Sequence, residues 1–489
     1  MTSDKFLKFL KKLYILNIML ICAIFSSNCQ INPAKGGKEI SLLSKSEEKK
    51  IGRSEHKKII SQFGGEYKNK KLQNYVNSLG NFLVSTSELP NDEFKFTILD
   101  TPIVNAFALP GGYIYLTRGL IALCHNEAQL AGVIAHEIGH VTARHTAQRY
   151  TRAVGTNIVA NILNVLTNNM ALKNLIGQSA NLFMLSYSRE QEYEADSLAV
   201  RYMARAGFES REMANFLQSM EKYSNLTTKI NRIPSRKNNS DLLSTHPSSS
   251  KRVRKVIEES DLPTSSRPII GRDIFLKKID GLLFGDSPDQ GVIFKNTFVH
   301  KDLKIMFSLD KNFYFINKPK HLIGYSSDKG RILIDVDNQN TDLDLMSYSK
   351  KLLGKNFPIE YKKIKVNGMN ALDFEFFIKP PTKNRLVIIE KDDAFYRFLY
   401  SNDKKTYEKY NFSFQKIFNS FKEISSQKIL NTKNVLRIID NKEGKSIKEI
   451  ALDSSLQERY SSDLIKVLNS IKEKDFSKDQ KIKNITINY

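Results

Sequence analysis

His136, Glu137 and His140 follow one another in the order His-Glu-x-x-His. In a helix, a rotation of about 100° per residue places both imidazoles on one face, one turn apart, so that both can bind a single metal ion. Glu137 then lies beside the first histidine, where its carboxylate reaches a water molecule on the metal. The spacing therefore predicts a zinc site that hydrolyses peptide bonds, with Glu137 as the general base.

The alternative is a pair of unrelated histidines on a solvated helix. The residues around the motif are apolar, which predicts a buried helix; they are Val133, Ile134, Ala135, Ile138 and Val141. Unpaired imidazoles and a carboxylate would be costly in such a place, and metal binding removes that cost. The chain has only 8 histidines, so a chance occurrence of this pattern is rare.

Catalytic zinc takes a third protein ligand and leaves its fourth position to water. The metzincin pattern would place a glycine and a third histidine where this chain has Ala143 and Thr146. His145 would lie about 140° around the same helix from His140, which directs it away from the ion. The metzincin arrangement is therefore excluded.

A glutamate from a second helix is the other source of a third ligand. The segment Arg189 to Asp196 contains three of them, Glu190, Glu192 and Glu194. Spacing alone does not separate these three candidates.

The pattern of apolar residues predicts the elements that position these groups. Asn126 can cap a helix that runs from Glu127 through Ala147, and a second helix is expected from about Arg189 to Ala206, ending at Gly207. Two earlier helices are expected between Ile51 and Val84. Short strands are expected at Phe94 to Ile98, Ala106 to Leu109 and Tyr113 to Thr117.

These residues together resemble the HtpX- and BepA-like gluzincin peptidases, which are related to the CAAX prenyl endopeptidases. The matching segments are residues 105–112, 136–140, 188–196 and 245–247, with Arg252. The resemblance implies that Glu192 is the third zinc ligand. Asp196, one turn away on the same face, is then placed to orient a ligating histidine through its free N–H.

The resemblance also brings the loop of His246 and Arg252 to the cleft. Either side chain is a candidate donor to the oxyanion that develops during hydrolysis. His246 could instead bind zinc in the resting state and displace the water. The strand Tyr113 to Thr117 is similar to the edge strand that aligns an extended substrate in gluzincins, with an ordinary sheet edge as the alternative.

Residues 1–29 are predicted to be a signal peptide. Lysines between Lys5 and Lys12 form a basic start, and the apolar stretch Leu13 to Phe25 is too short to span a bilayer comfortably. Cys29 follows small residues, as in a relaxed lipobox, so a periplasm-facing, membrane-anchored lipoprotein of the bacterial cell envelope is expected. Plain cleavage and an uncleaved anchor are the alternatives.

A chain of 489 residues is too long for one ordinary core. We expect an α+β protein: a tether at 30–50, a mainly helical gluzincin metallopeptidase domain with a small active-site β-sheet at 51–284, and an α+β accessory domain at 291–425. A small unit at 435–489 is predicted as strand, helix, helix, strand. It faintly resembles a LysM module, which implies peptidoglycan contact, although Lys445 replaces the usual aspartate.

The predicted function is that of a zinc metalloendopeptidase with one zinc ion per subunit. Its expected substrates are misfolded or extended cell-envelope proteins, and its N-terminal lipid or signal anchor would hold it at the membrane. A chaperone-like or binding lipoprotein with a latent peptidase centre is the alternative. The charge of +23 comes from Lys and Arg spread along the whole chain, without a basic helix or aromatic platform, so no nucleic-acid partner is expected.

Overall fold

The computed structural model describes residues 29–31, 33, 34, 36, 38–40, 43–149, 186–231, 245, 246, 250–260, 266–318, 320–338, 342–354, 360–379, 381–471 and 476–488. The predicted signal peptide lies outside the described residues except for its last position. The chain forms two compact units, Met1–Glu221 with Ser235–Lys278 and Lys222–Pro234 with Ile279–Tyr489. The predicted boundary between 284 and 291 lies close to this division, and the domain limits themselves stay a prediction.

The first unit is mainly helical, with small sheets. Its strands are β1 Cys29–Ile31, β2 Lys38–Ile40, β3 Lys95–Leu99, β4 Ala106–Leu109 and β5 Tyr113–Thr117. Its helices are α1 Lys45–Gln62, α2 Lys70–Ser85, α3 Arg118–Leu123, α4 Glu127–Thr142, α5 Arg189–Arg205, α6 Arg211–Asn231 as far as Glu221, α7 Ser250–Ser260 and α8 Arg272–Ile279. The two helices predicted before Val84 and the three predicted strands are confirmed.

Strands β3, β5 and β4 form a sheet in that order. The central strand β5 pairs with β3 in parallel and with β4 antiparallel. The prediction that Tyr113–Thr117 is the edge strand is therefore wrong, because its backbone is paired on both sides. Among the described strands, β4 is the one at the edge of this sheet beside α4.

Helix α4 ends earlier than predicted. It stops at Thr142 instead of continuing through Ala147, and residues 145–149 form a separate helical stretch. The break lies at Arg144, whose φ of 55° is incompatible with a right-handed helix. Tertiary contacts of the Arg144 side chain stabilise this turn. The helix propensities of the local residues cannot predict such contacts.

The second unit is built around antiparallel sheets. A large sheet has the order β12-β13-β14-β15-β11-β10-β9, and a smaller one has the order β16-β8-β7-β6. The strands of the two sheets are β6 Val292–Phe294, β7 Thr297–His300, β8 Ile305–Ser308, β9 Phe313–Lys318, β10 His321–Ser326, β11 Arg331–Asp337, β12 Tyr361–Val366, β13 Met369–Lys379, β14 Thr382–Lys391, β15 Ala394–Asp403 and β16 Lys422–Glu423. Alternate residues of the large sheet pack on α10 (Lys404–Asn419) and on α9 (Leu345–Leu353). The predicted mixture of helix and sheet is confirmed.

After the short helix α11 (Gln427–Leu430), the last part of the chain has the predicted order of elements. Strand β17 (Lys433–Asp440) is followed by α12 (Ile447–Asp453), α13 (Ser461–Leu468) and β18 (Lys481–Asn488). The two strands pair antiparallel along their whole length. The order strand, helix, helix, strand is confirmed, and the LysM-like role of this segment stays a prediction.

None of the described helices has both the length and the apolar character that crossing a bilayer requires.

Candidate metal centre

Helix α4 carries the His-Glu-x-x-His motif in the interior of the first unit. Asn126 caps the helix by accepting a 2.8 Å hydrogen bond from the N–H of the third helical residue, as predicted. Every residue from Ala128 to Thr142 is buried. The exposed fractions of His136, Glu137 and His140 are 5%, 0% and 0%, which excludes a solvated helix face.

Helix α5 packs closely on α4 because Gly139, inside the motif, has no side chain. A Cβ at this position would lie 3.2 Å from the Ala195 carbonyl oxygen and 3.3 Å from Leu198 Cβ, both tight contacts. Helix α5 begins with a capping box formed by Ser188 and Gln191. The close packing and the defined start of α5 bring its acidic residues to the motif.

Glu192 and Asp196 lie one turn apart on α5 and face the two histidines. Glu192 Oε1 is 3.6 Å from His140 Nε2, and Glu192 Oε2 is 3.6 Å from His136 Nε2. Asp196 Oδ1 lies 3.0 Å from His136 Nδ1, the other nitrogen of that ring. The structure thus brings the predicted third ligand and the predicted orienting carboxylate next to the two histidines of the motif.

His246 approaches the same point from a separate segment of the chain. Its Nδ1 lies 2.9 Å from Glu192 Oε1 and 3.3 Å from His136 Nε2. The Nε2 atoms of His136 and His140 are 3.1 Å apart. One side-chain atom from each of these four residues lies within 4.8 Å of the other three, and all four residues are buried.

The spacing of these four donors fits a tetrahedral zinc ion. Ligand atoms about 2.0–2.1 Å from zinc at tetrahedral angles are about 3.3 Å apart. The five separations given above, with one Glu192 oxygen facing each histidine of the motif, run from 2.9 to 3.6 Å. Imidazole nitrogens that approach one another this closely in a buried space repel unless a proton or a cation lies between them. Three imidazoles and a carboxylate are also ligands that zinc prefers.

Arg252 supplies a fixed positive charge beside the donors. Its guanidinium donates two hydrogen bonds of 2.7 Å to Asp196, and its Nη1 lies 2.6 Å from Glu192 Oε2. Burial opposes ionisation of both carboxyls, but Arg252 outweighs it: the pKa of Glu192 is well below its usual value, and the pKa of Asp196 is also lowered. Both side chains are therefore carboxylates, the form that metal binding requires.

Glu137 is completely enclosed, and burial raises the pKa of its carboxyl group. Neither of its oxygens has a hydrogen-bond partner in the described part of the chain; His246 Nε2 is 3.5 Å from Oε1. A raised pKa suits a group that must accept a proton and later return it. Burial also lowers the pKa of His140 well below its usual value, which keeps the ring neutral and its lone pair available.

Three residues around the centre make contacts that the sequence did not predict: Tyr187, His145, which was expected to point away, and Glu194, which was one of three candidate ligands. Tyr187 stacks on the His140 ring, with centroids 3.7 Å apart and planes 13° from parallel. Its N–H also donates to the Thr245 carbonyl oxygen at 3.2 Å, next to His246. His145 lies behind His140 because α4 ends at Thr142, and Glu194 reaches His145 from α5. No local pattern in the sequence predicts these contacts.

Comparison with known proteins places the metal centre inside a recognised domain. Residues 70–260 match Peptidase family M48. The "Beta-barrel assembly-enhancing protease" of Yersinia pestis is 33% identical over 169 residues, covering 32% of this chain and 34% of that protein. The protein of the same name from Escherichia coli strain K12 is 35% identical over 158 residues, covering 30% and 32%. "Mitochondrial metalloendopeptidase OMA1" of Schizosaccharomyces pombe is 28% identical over 222 residues, covering 43% and 60%. The match thus spans about a third of the length of the bacterial relatives.

Proposed function

We propose that this chain, whose residues 70–260 form a peptidase family M48 domain, is a zinc-dependent metalloendopeptidase. The observation that carries the proposal is the convergence of four buried metal-binding side chains on one point, beside the enclosed carboxylate of Glu137. Metal-binding residues and a general base are the two parts that hydrolysis of a peptide bond by this type of site needs.

His136, His140 and Glu192 would hold one zinc ion. The ion would supply Lewis-acid chemistry, lowering the pKa of a water molecule to about 7 and polarising the substrate carbonyl group. Glu137 accepts the proton that the attacking water loses, and then donates it to the departing amine nitrogen. Asp196 Oδ1 lies 3.0 Å from His136 Nδ1 and would fix the orientation of that ring through its N–H.

Arg252 holds Glu192 and Asp196 in place. The sequence also predicts this side chain as an oxyanion donor, and that role stays untested. The guanidinium already contacts both carboxylates at 2.6 to 2.7 Å. These contacts favour a positioning role, in which Arg252 presents Glu192 to the metal.

The substrate is proposed to bind as an extended segment along β4, the edge strand of the active-site sheet. The free edge of such a strand can pair with the main chain of an unfolded peptide, whereas a folded protein cannot offer its main chain in this way. This geometry favours misfolded or extended proteins as substrates.

The site of action is proposed to be the bacterial cell envelope. Two relatives are named for enhancing β-barrel assembly, and the predicted signal peptide and Cys29 lipidation would place this chain in the same compartment. The second unit would then recruit protein substrates or partners, and its last segment would contact peptidoglycan.

A latent peptidase centre is the second candidate, and the position of His246 favours it. With His246 Nδ1 as a fourth ligand beside His136, His140 and Glu192, no position would be left for a water molecule. We propose that this conformation is a resting state and that His246 must turn away before hydrolysis begins. A lipoprotein with a centre held shut would bind its clients without cleaving them.

Zinc removal tests the proposed function. The purified chain is expected to contain one zinc ion and to cleave casein, and a chelator is expected to abolish cleavage until zinc is returned. Metal analysis and gel-based cleavage assays measure both quantities on the same sample. Cleavage that persists after complete removal of the metal would contradict the proposal.

The variant His246→Ala tests the resting state. We expect cleavage of an unfolded substrate to rise by at least about fivefold, because a preference of about 1 kcal/mol for the closed state already corresponds to that factor. The matched control is His321→Ala, a half-exposed histidine of the second unit. A fall in cleavage, with zinc content unchanged, would instead support His246 as the oxyanion donor.

A further inference from the structure

The turn that ends α4 returns His145 to the back of the metal centre. His145 is 1% exposed, and its Nδ1 lies 2.8 Å from Nδ1 of the metal-binding residue His140. Its other ring nitrogen, Nε2, lies 3.3 Å from Glu194 Oε2. We infer that His145 and Glu194 are positioning residues, which orient His140 for zinc through a relay of two hydrogen bonds. The inference rests on the proposed function and extends it to residues with no assigned role.

The direction of both hydrogen bonds follows from the arrangement of the donors. His140 Nε2 lies 3.1 Å from His136 Nε2, at the point where the four donors converge. When the neutral His140 ring binds zinc there through the lone pair of Nε2, its proton lies on Nδ1. Two nitrogens 2.8 Å apart share one proton, and His140 therefore donates to His145 Nδ1. His145 is then protonated at Nε2 and donates to the Glu194 carboxylate. The relay thus selects the tautomer of His140 that binds metal through Nε2.

The other histidine of the motif has a simpler arrangement of the same kind. His136 Nδ1 faces Asp196 directly, at 3.0 Å. Both carboxylates come from α5, so this helix supplies an orienting acid for each histidine as well as the ligand Glu192. Carboxylates that accept a hydrogen bond from a ligating histidine fix its ring and raise its basicity.

The turn itself is held by contacts remote from the metal. Arg144 has a φ of 55°, and its side chain is buried against α1. The guanidinium bonds to Glu48, with Nε 3.0 Å from Oε1, and donates to the Leu43 carbonyl oxygen at 2.7 Å. These bonds offset the cost of the left-handed backbone, which is of order 1–3 kcal/mol for such a residue. They fix the position from which His145 reaches His140.

Two substitutions with side chains of similar size distinguish loss of the hydrogen-bond relay from a general loss of packing. In His145→Asn the side-chain oxygen can take the place of Nδ1 and accept from His140. In His145→Gln the amide extends toward the place of Nε2, and the His140 N–H loses its acceptor. We expect His145→Gln and His145→Ala to weaken zinc binding by about 10–100-fold, and His145→Asn to stay within about threefold of the original chain.

The measurement is the zinc dissociation constant of the full chain, obtained by competition with a chelator. The visible absorption spectrum of the cobalt-substituted protein provides a second readout, because it reports ligand geometry. We expect it to change in His145→Gln and to be preserved in His145→Asn. Circular dichroism and thermal melting establish that each variant is folded.

A variant of Glu194 provides a second test in case variants of the buried His145 fail to fold. The Glu194 side chain is 16% exposed, so Glu194→Ala is better tolerated, and we expect it to weaken zinc binding by about tenfold. The control is Glu190→Ala, which removes an exposed glutamate one turn earlier in the same helix and should leave the constant unchanged.

The outcomes distinguish this inference from the proposed function. If the original chain binds no zinc, the proposed function itself fails. If it binds zinc and cleaves protein, but His145→Gln and Glu194→Ala have the original zinc affinity and cobalt spectrum, the relay is refuted and the proposed function stands. Equal loss of affinity in His145→Asn and His145→Gln would also refute it, since only packing would then matter.

Discussion

Replacing Glu137 with glutamine will lower the rate of peptide cleavage by about 10²–10⁴-fold, the usual contribution of a general acid or base. Glutamine has the shape of glutamate but cannot accept the proton of the attacking water. Zinc should remain bound, because Glu137 is not among the four converging donors. The loss of activity is measured by the rate of casein cleavage and by any self-cleavage. The retention of zinc is measured by the zinc content of the same preparation.

The control for this substitution is Glu127→Gln. Glu127 is the only other carboxylate of α4 and lies at its opposite end, far from the metal-binding residues. The Glu127→Gln variant should cleave protein at the original rate. Unchanged proteolysis by Glu137→Gln would refute the assigned mechanism. Loss of zinc together with activity would mean that Glu137 helps to bind the metal and is not primarily a general base.

Replacing Arg252 with glutamine will destabilise the metal-free protein by about 3–5 kcal/mol, the range observed when one partner of a buried ion pair is removed. Arg252 is 3% exposed and balances the charges of Glu192 and Asp196, which are 1% and 0% exposed. Without it, two neighbouring carboxylates stay buried without their main counter-charge. Zinc binding should weaken as well, because Glu192 loses the contact with Arg252 that orients its carboxylate.

The effect of Arg252→Gln depends on pH in a direction that follows from the carboxyl pKa values. In the original chain the pKa values of Glu192 and Asp196 are depressed, so their stabilisation is complete above about pH 4 and is lost as the pH falls through the folded values. In the variant, burial dominates and raises both pKa values, so stability is lost as the pH rises. The difference between the two proteins should therefore grow from about pH 5 to about pH 7.

Urea unfolding followed by circular dichroism measures this difference, since the chain has no tryptophan to report by fluorescence. The control is Arg254→Gln, an exposed arginine on the same helix, which should change stability by less than about 0.5 kcal/mol. A loss of stability that is equal at both pH values would contradict the predicted rise of the two carboxyl pKa values in the variant.

The parts of the site that were predicted correctly depend on neighbours in sequence. The cap at Asn126 needs only the first turn of its own helix. Strands β4 and β5 have the predicted bounds, because short apolar runs and the Pro-Gly-Gly turn between them are local signals. The predicted edge position of β5 was wrong, since the pairing partners of a strand depend on contacts with distant segments.

The end of α4 shows the same limit. Helix propensity continues past Thr142, and the prediction through Ala147 followed it. The break depends on the pairing of Arg144 with Glu48, almost one hundred positions earlier in the chain. His145 was placed away from His140 by helical geometry, and the same break brings it within 2.8 Å.

The sequence by itself determined the chemistry of the centre: two histidines and a glutamate at a helical spacing, inside an apolar stretch. This spacing suffices because residues i and i+4 of a helix share a face in any protein. Spacing did not choose Glu192 among three glutamates; the family resemblance did, and the packing of α5 on Gly139 brings it to the two histidines. The resemblance also brought His246 to the cleft. Only the tertiary structure gave its distances to the other donors and placed His145 behind His140, because contacts between distant segments follow from the packing of the whole unit.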